Sequence, residues 1–274
     1  MTYPPAVLSR WRPAFMFVSI LIGSTPAMAE DTTSQTGPTT TTLPAQQTGT
    51  SPEYTRLKLF PRNLGGNTRA LFNRKSIAPF LIGGLAGGAL AFADHGIRDD
   101  WSIRSGDSTI GTVGAHLGGT HVVAPAIATL LVLGHYARND RFHSFTYSLA
   151  QATAINLGLV QGLKYSTRRT RPGGRDKHSF PSGHSASAFT IAAVVQGYYG
   201  RTAGILANSA AAFVAVSRVR ENEHWASDVA AGATIGYIVG SSVFRRTGIS
   251  LRVRRIVFFP VLDIKNHKFG LLLH

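Results

Sequence analysis

Three short clusters of residues have the types and spacing needed to bind an oxyanion and to transfer a group from it. The first contains Lys164 and Arg171, with Pro172 directly after the arginine. The two cations are about two helical turns apart, so both can face one side, and Pro172 keeps Arg171 extended. Two cations directed at one point suit a phosphate group, for which arginine adds bidentate geometry. Taken alone, this cluster is better explained as a solvated basic helix end.

The second cluster is Pro181-Ser182-Gly183-His184, directly before an apolar segment. Proline suits a helix entrance, and serine is a favoured N-cap. Gly183 lets an anion approach the backbone N–H groups of the turn, where the helix dipole adds positive potential. His184 lies in the first turn and would point at the same anion. An ordinary capping turn with an exposed histidine explains the cluster equally well when it is taken alone.

The third cluster contains Arg218, His224 and Asp228. The histidine and the aspartate are four positions apart and share a helix face. The carboxylate of Asp228 can accept one ring N–H of His224, which leaves the other ring nitrogen free as a nucleophile. A surface His–Asp pair of small stabilising value is the simpler explanation when this cluster stands alone.

These clusters lie at the ends of apolar segments that alternate with polar breaks from Arg56 onward. Each segment is long enough for a helix, too long for a typical strand, and rich in small residues that allow close helix contact. The pattern predicts an all-α bundle of about six helices with the candidate catalytic residues at helix ends. Two polar stretches, His95–Ser102 and Gly111–Val123, are interpreted as connections that line the pocket entrance. The six predicted helices are Ile77–Ala93, Val122–Ala137, Phe145–Leu163, Ala186–Tyr199, Ala203–Val216 and Ala226–Phe244.

The N-terminal residues have the pattern of a secretory signal. Arg10 and Arg12 precede a short apolar run that ends in Ala27-Met28-Ala29. A basic flank, a short apolar run and a small-x-small end are typical of a signal peptide, here residues 1–29. The alternative is an uncleaved membrane anchor, for which the run is too short to span comfortably.

The remaining chain divides into three parts. Residues 30–55 are rich in Thr, Gln and Pro and predict a flexible linker, because they cannot bury enough apolar surface to order. The helical domain is expected at residues 56–246. The tail, residues 247–274, contains two β-forming runs, Ile249–Phe259 and Lys268–Leu273, which predict a small C-terminal β-hairpin.

The chain is strongly basic, with a formal charge of +15. Residues 1–29 contain two arginines and no acidic residue, so the mature charge is +13. This balance favours anionic partners such as phosphorylated substrates or an anionic membrane surface. The export signal argues against nucleic acid. A non-catalytic, basic, anionic-lipid-binding protein stays an alternative, and the chain contains no cysteine for disulfides or thiolate metal sites.

Whether the helices span a membrane depends on their length and on topology. Several uncharged runs contain about 16 residues, at or below the lower limit for spanning. After a cleaved signal, three spans before Lys164 would place the pocket in the cytoplasm, which is unusual for an exported enzyme. These points favour a soluble or membrane-apposed periplasmic bundle. The expected location is therefore exported, either periplasmic or associated with a membrane such as the bacterial inner membrane.

Taken together and in order, the three clusters resemble the type-2 phosphatidic acid phosphatase / vanadium haloperoxidase superfamily. The signature Lys-x6-Arg-Pro, Pro-Ser-Gly-His and Ser-Arg-x5-His-x3-Asp is present without departure, from Lys164 to Asp228. The helical pattern of residues 76–245 is similar to the six-helix core of that family. The resemblance implies the bacterial acid or lipid phosphatase branch, with no metal and no cofactor. A vanadium-dependent haloperoxidase is the alternative within the family.

The resemblance also implies a role for each residue. His224 would attack phosphorus and form a phosphohistidine, Asp228 would orient His224, and His184 would act as acid and then as base. Phosphate oxygens would be held by Lys164, Arg171, Arg218 and the backbone amides of Ser182 and Gly183. Expected substrates are lipid or isoprenoid phosphates or small phosphomonoesters. The oligomeric state is not predicted.

Overall fold

A computed structural model describes residues 55–101, 109–248, 258–263 and 268–273. In these ranges the chain forms seven α-helices, a 3₁₀ turn at Leu57–Leu59 and two strands. The predicted signal peptide lies outside the described residues, as does the predicted linker apart from Thr55. The helices are α1 (Phe60–Ala70), α2 (Arg74–Trp101), α3 (Thr109–Gly118), α4 (Thr120–Tyr136), α5 (Asp140–Thr167), α6 (Gly183–Arg220) and α7 (Ala226–Thr247).

The all-α prediction is confirmed, and the strands form a small C-terminal hairpin. β1 (Phe258–Asp263) and β2 (Lys268–Leu273) pair antiparallel, with Phe258 opposite Leu273. The second strand coincides with the predicted run. The first contains the last two residues of the predicted run, Phe258 and Phe259, and the rest of that run lies outside the described residues.

Two helices were not predicted. α1 has a polar buried face: Asn63 donates to the Tyr147 hydroxyl at 2.9 Å, and Asn67 donates to Gln151 at 3.3 Å. A search for apolar periodicity misses a helix that docks through amides. α3 is only ten residues long and includes three glycines, so the pattern was taken as a polar connection.

The helix α6 contains a sharp bend that joins two of the predicted helices. Gly200 has φ 83°, a left-handed conformation that glycine adopts without strain. Beyond it the chain folds back, since the Asn208 amide donates to the Gln196 side chain at 3.1 Å. Apolar side chains of the two halves then share one core cluster, which includes Phe189 and Val214. The bend therefore returns Arg218, near the end of α6, to the end of the bundle where α6 begins.

A row of glycines brings the first half of α6 and α7 into backbone contact. A Cβ at Gly232, Gly236 or Gly240 would lie 2.4, 2.1 or 2.5 Å from a backbone carbonyl oxygen of α6 or its N-cap. The carbonyls belong to Ser182, Ala186 and Thr190, in that order. The residue numbers of the glycines and of the carbonyls increase together in steps of four, so the two helices run parallel. Their N-termini consequently lie side by side at one end of the bundle.

The helices are longer than their apolar runs suggested. α2 contains a candidate membrane span at Ser76–Asp100. α6 is also long and apolar enough to be a candidate span. The bent pair α3 and α4 adds a third candidate if it counts as one span. The uncharged runs of about 16 residues are shorter than the helices that contain them, because polar residues extend the helices beyond their apolar runs. Outward-facing apolar side chains on α2 include Leu81, Ile82, Leu85 and Phe92, which are 62%, 62%, 75% and 96% exposed.

The glycine contact predicts a large stability cost for one added methyl group. Gly236→Ala places a Cβ against the Ala186 carbonyl and forces α6 and α7 apart, which we expect to lower stability by roughly 1–3 kcal/mol. Thermal unfolding of the purified protein measures this. Gly158→Ala on α5 is the matched control, because nothing lies within 4 Å of its Cβ position. Equal melting temperatures for the two variants would contradict the close packing of α6 and α7.

Candidate active site

The three sequence clusters meet at the end of the bundle where α5 ends and α6 and α7 begin. Arg171, in the loop after α5, places Nη1 3.4 Å from Nε2 of His224, in the turn before α7. The N–H of Ser182, the N-cap of α6, donates to the Asp228 carbonyl in α7 at 3.0 Å. These contacts join residues that are more than 40 positions apart in sequence into one pocket.

His224 is buried, with 2% of its surface exposed. Nε2 can accept the Arg171 N–H only as the free nitrogen of a neutral ring, so this contact favours a proton on Nδ1. Burial lowers the pKa of His224, and the positive charges of Lys164 and Arg171 lower it further. The side chain is therefore held as a neutral imidazole with Nε2 at the pocket, the form that a nucleophile requires.

Asp228 lies beside His224 but is bonded to other groups. Its Oδ2 is 3.8 Å from Nδ1 of His224, beyond hydrogen-bond distance, and that nitrogen has no hydrogen-bond partner among the described residues. Oδ2 accepts from the Ser179 hydroxyl and, at 3.1 Å, from the Trp225 N–H. Oδ1 accepts from Arg169 at 2.6 Å. The predicted orienting hydrogen bond is therefore not formed in this structure, although the two side chains are neighbours, and the role of Asp228 stays a prediction.

Lys164 occupies the last turn of α5, next to the start of α6. Its Nζ donates to the His178 carbonyl at 2.5 Å, and its Cε would lie 4.0 Å from a Cβ at Gly183. Burial lowers the pKa of Lys164 to about 8, and the neighbouring charge of Arg171 adds to the effect. Lys164 is accordingly a cation at neutral pH, and it loses its charge as the pH rises through about 8. A bound anion would raise this pKa, because it stabilises the charged form.

Acidic side chains surround the guanidinium of Arg171. Its Nε contacts both carboxylate oxygens of Asp176, at 3.0 and 2.9 Å, and its Nη1 contacts the Glu223 carboxylate at 3.0 Å. Glu223 also pairs with Arg175. Arg171 is therefore neutralised by protein carboxylates in the absence of a bound anion.

The Pro181–His184 turn forms the predicted cap of α6. Ser182 Oγ accepts from the Ser185 N–H at 3.4 Å. Since the Ser182 N–H already donates to Asp228, its predicted contact with an anion requires that bond to be exchanged. Gly183 is the first residue of α6, where N–H groups lack intrahelical acceptors. Packing does not demand glycine there, because a Cβ would make only ordinary contacts, at 3.6 Å or more.

The other side of the pocket is formed by α3, one of the stretches that were interpreted as polar connections. The interpretation as a connection was wrong, but the predicted contact with the pocket region is present. Arg218 Nη2 donates to the Gly111 carbonyl, and a Cβ at Gly118 would lie 3.0 Å from that of His184. The imidazole of His184 bonds to the backbone of Ala115, so α3 holds both residues.

Four residues of the site were missed by sequence reasoning. They form a buried polar group behind Asp228: Asp94, Arg169, Ser179 and Ser227. The sequence gives little indication of these residues, because Arg169 is one of several arginines after α5 and the two serines belong to no recognised motif. Asp94 was the detectable one, as an acidic residue that directly follows the apolar run Ile77–Ala93.

The whole arrangement can hold a tetrahedral anion against a buried neutral imidazole. Two cations, a helix N-terminus and a second histidine border the same volume, so negative charge that develops there meets preorganised donors.

Comparison with known proteins agrees with the resemblance drawn from the motifs. Residues 144–250 match the model of the PAP2 superfamily, and this range contains all three clusters. A lipid A 1-phosphatase of Porphyromonas gingivalis is 36% identical over 123 residues, which are 43% of this chain and 28% of the relative. A PA-phosphatase related-family protein of Dictyostelium discoideum is 29% identical over 45% of this chain and 57% of its own length. The chain thus spans less than two thirds of either relative.

Two solved structures resemble the chain. A transmembrane PAP2 type phosphatidylglycerolphosphate phosphatase from Bacillus subtilis aligns with a TM-score of 0.50 and 20% identity, covering 73% of this chain and all of the other. Aquifex aeolicus LpxE aligns with a TM-score of 0.42 and 27% identity, over 49% of this chain and 83% of the other. The first likeness supports the helical fold.

The lowered pKa of Lys164 predicts how anion binding changes with pH. Sulfate is a dianion throughout the range from pH 6 to 10, so any change of its affinity with pH comes from the protein alone. We expect affinity to fall above about pH 8, as Lys164 deprotonates. Titration calorimetry measures this, and Lys164→Arg is the control because its cation persists across the range. An affinity that stays level to pH 10 in the unmodified protein would contradict the assignment of Lys164 to the anion site.

Proposed function

We propose that the protein is a phosphatase that hydrolyses phosphomonoesters through a phosphohistidine, a proposal supported by the match of residues 144–250 to the model of the PAP2 superfamily. One observation carries the proposal: Nε2 of a buried, neutral His224 lies 3.4 Å from Nη1 of Arg171. A nucleophile and a phosphate-binding cation therefore border the same volume. A binding protein for anionic lipids has no need of a buried imidazole behind its cations.

The first half-reaction transfers the phosphoryl group to the protein. Nε2 of His224 forms a bond to phosphorus while the bond from phosphorus to the ester oxygen breaks. His184 gives its proton to the leaving alkoxide, which departs as an alcohol. The imidazole of His224 becomes cationic in this step, and Asp228 stabilises that cation through Nδ1. Closing the 3.8 Å separation between Nδ1 and Oδ2 to a hydrogen bond would accompany the development of this charge.

The second half-reaction returns the site to its starting state. His184, now neutral, removes a proton from water as the water oxygen bonds to phosphorus and the phosphorus–nitrogen bond breaks. Inorganic phosphate is released, and both histidines regain their first protonation states. Two histidines are required because one group cannot be bonded to phosphorus and transfer the proton of the attacking water.

The remaining residues stabilise charge in the transition state. Lys164, Arg171 and Arg218 supply positive charge, and the N–H groups at the start of α6 supply directed donors. Ser182 contributes as the N-cap of that helix, and the absence of a side chain at Gly183 leaves its N–H accessible. Phosphate binding replaces Asp176 and Glu223 as partners of Arg171, because the same donors cannot serve both.

We propose a phosphorylated lipid as the substrate class. In the described part of the chain, two or three helices are long and apolar enough to cross a membrane, which supports an association of the protein with a membrane. Phe92 on α2 is 96% exposed and lies two positions before Asp94, which belongs to the polar group behind the pocket. Apolar surface therefore continues to the end of the bundle that carries the site, where acyl chains can remain in the membrane. The name of the Porphyromonas relative is consistent with this class.

The domain limits and the cellular location complete the proposal. A signal at residues 1–29, a linker at 30–55, a phosphatase domain at 56–246 and a tail at 247–274 stay predictions. Export to the periplasm also stays a prediction, since the N-terminal residues lie outside the described ranges.

Loss of the nucleophile tests the proposal directly. His224→Ala should lower phosphate release from phosphatidate or lipid A in detergent micelles to background, because no other group can form the intermediate. Acid-labile, alkali-stable labelling by a ³²P-substrate should vanish with it. His135→Ala is the matched control, an exposed histidine at the far end of α4, and should keep both signals. If His224→Ala turned over any of these substrates at the normal rate, the proposal would be abandoned.

The role of His184 as acid predicts a dependence on the leaving group. His184→Ala should reduce hydrolysis of alkyl phosphates by about 10²–10⁴-fold, the usual range for a lost general acid. Aryl phosphates should lose far less, because a phenolate departs without a proton. Comparing kcat/KM for hexyl phosphate and p-nitrophenyl phosphate measures the difference. Equal losses on both substrates would remove the acid role from His184.

A further inference from the structure

The carboxylate of Asp228 is restrained by Arg169, which occupies one of the unspecified positions of the first motif. Nη1 of Arg169 donates to Asp228 Oδ1 at 2.6 Å, and Nη2 donates to Asp94 Oδ2 at 2.7 Å. The side chains of Asp94 and Asp228 are 1% and 0% exposed. One guanidinium therefore bridges two buried carboxylates that lie on different helices, α2 and α7. The ring of Trp225, 5.6 Å away, covers the guanidinium face.

Asp94 has a second function in this group, because it caps α7 from a neighbouring helix. Its Oδ1 accepts from the Ser227 N–H at 3.0 Å, and its Oδ2 accepts from the Ser227 hydroxyl at 2.5 Å. The N-cap of α7 itself, Trp225, makes no side-chain bond that fills this place. An acidic residue buried on an apolar helix is costly unless it is paired, so its presence here needs a reason.

Three donors among the described residues hold the Asp228 carboxylate in place. Arg169 binds Oδ1, while Ser179 and the Trp225 N–H bind Oδ2. Nδ1 of His224 lies 3.8 Å from Oδ2 and is buried without a hydrogen-bond partner in the part of the chain that the structure describes. The position of Oδ2 relative to that nitrogen is thus determined by the groups that clamp the carboxylate.

We propose that Arg169, anchored by Asp94, is a positioning residue for the reaction. The bridge holds the Asp228 carboxylate so that Oδ2 lies 3.8 Å from Nδ1 of His224. From this position the two atoms can form a hydrogen bond when the imidazole becomes cationic. Its charge also offsets the negative charge of Asp228, so that His224 remains a neutral nucleophile until it attacks. This inference rests on the proposed function of His224 and adds two residues that act through Asp228.

The charges around His224 determine the sign of the effect. Asp228 faces it from α7, Lys164 and Arg171 face it from the end of α5 and the following loop, and His184 faces it from α6. Glu223 precedes it in the chain and pairs with Arg171. Removing the cation of Arg169 makes the surroundings of Asp228 more negative and raises the pKa of His224. Removing the anion of Asp94 has the opposite effect and lowers it.

The test therefore compares two substitutions that should move the acidic limb of the pH profile of kcat/KM in opposite directions. In Arg169→Gln, the acidic limb of kcat/KM should move up by about one pH unit, as expected for loss of a charge within about 6 Å. In Asp94→Asn the limb should move down. The double variant, which loses one charge of each sign, should return toward the unmodified profile. Arg169→Lys should keep the limb but lower kcat, because an ammonium cannot bridge both carboxylates.

Matched controls exist on the same elements. Arg168→Gln removes the adjacent exposed arginine, and Asp99→Asn removes a carboxylate on α2 that is 64% exposed. Neither should move the limb. Thermal unfolding of every variant separates a folding defect from a change in the site. Lower melting temperatures with an unmoved limb in both Arg169→Gln and Asp94→Asn would overturn the proposal.

A measurement without substrate keeps this inference separate from the proposed function. Protein labelled with ¹⁵N-histidine reports the protonation of His224, whose signals are identified by their loss in His224→Gln. The titration midpoint should rise in Arg169→Gln and fall in Asp94→Asn. If those shifts occur in a protein that hydrolyses no phosphoester, the charge bridge stands and the phosphatase proposal fails. If activity is present and the midpoints do not move, the bridge is wrong and the phosphatase proposal stands.

Discussion

The contact on which the site depends is the parallel packing of α6 against α7 through backbone atoms. Gly232, Gly236 and Gly240 meet carbonyls of α6 or its N-cap at distances that leave no room for a side chain. Because the two rows share a four-residue spacing, the register of one helix on the other is determined. That register places the start of α6, with His184, beside the start of α7, with Asp228. A slip by one helical turn would displace these residues by about 5 Å.

Much of the site could be predicted from sequence because its chemistry uses local motifs. The spacing of His224 and Asp228, and the Pro181–His184 turn, are readable within a few residues, and the helical fold follows from apolar periodicity. Asp94 and Arg169 could not be found in this way, since they meet across 75 positions and neither belongs to a local pattern. Their pairing depends on how α2 packs against α7, which only the three-dimensional structure provides.

Helix lengths and the polar helix α1 were less predictable, for a related reason. An apolar run marks the part of a helix that avoids water, and it ends before the helix does when polar residues find partners. On α2 the helix continues past the apolar run because Asp94 is paired with Arg169 and Ser227. On α1 the buried face is built from Asn63 and Asn67, whose partners lie on α5. In both places, hydrogen bonding from another helix replaces the hydrophobic signal.

The carboxylates around Arg171 have a consequence for the energetics of turnover. Since Asp176 and Glu223 already bind its guanidinium, an arriving phosphate exchanges one ion pair for another instead of filling an uncompensated positive site. The affinity for any anion is then a difference between two similar terms, which keeps it moderate. In the proposed reaction, the reverse exchange would help inorganic phosphate to dissociate, because the acidic side chains would take its place on Arg171. A pocket that contains several cations would thereby bind inorganic phosphate weakly enough to release it.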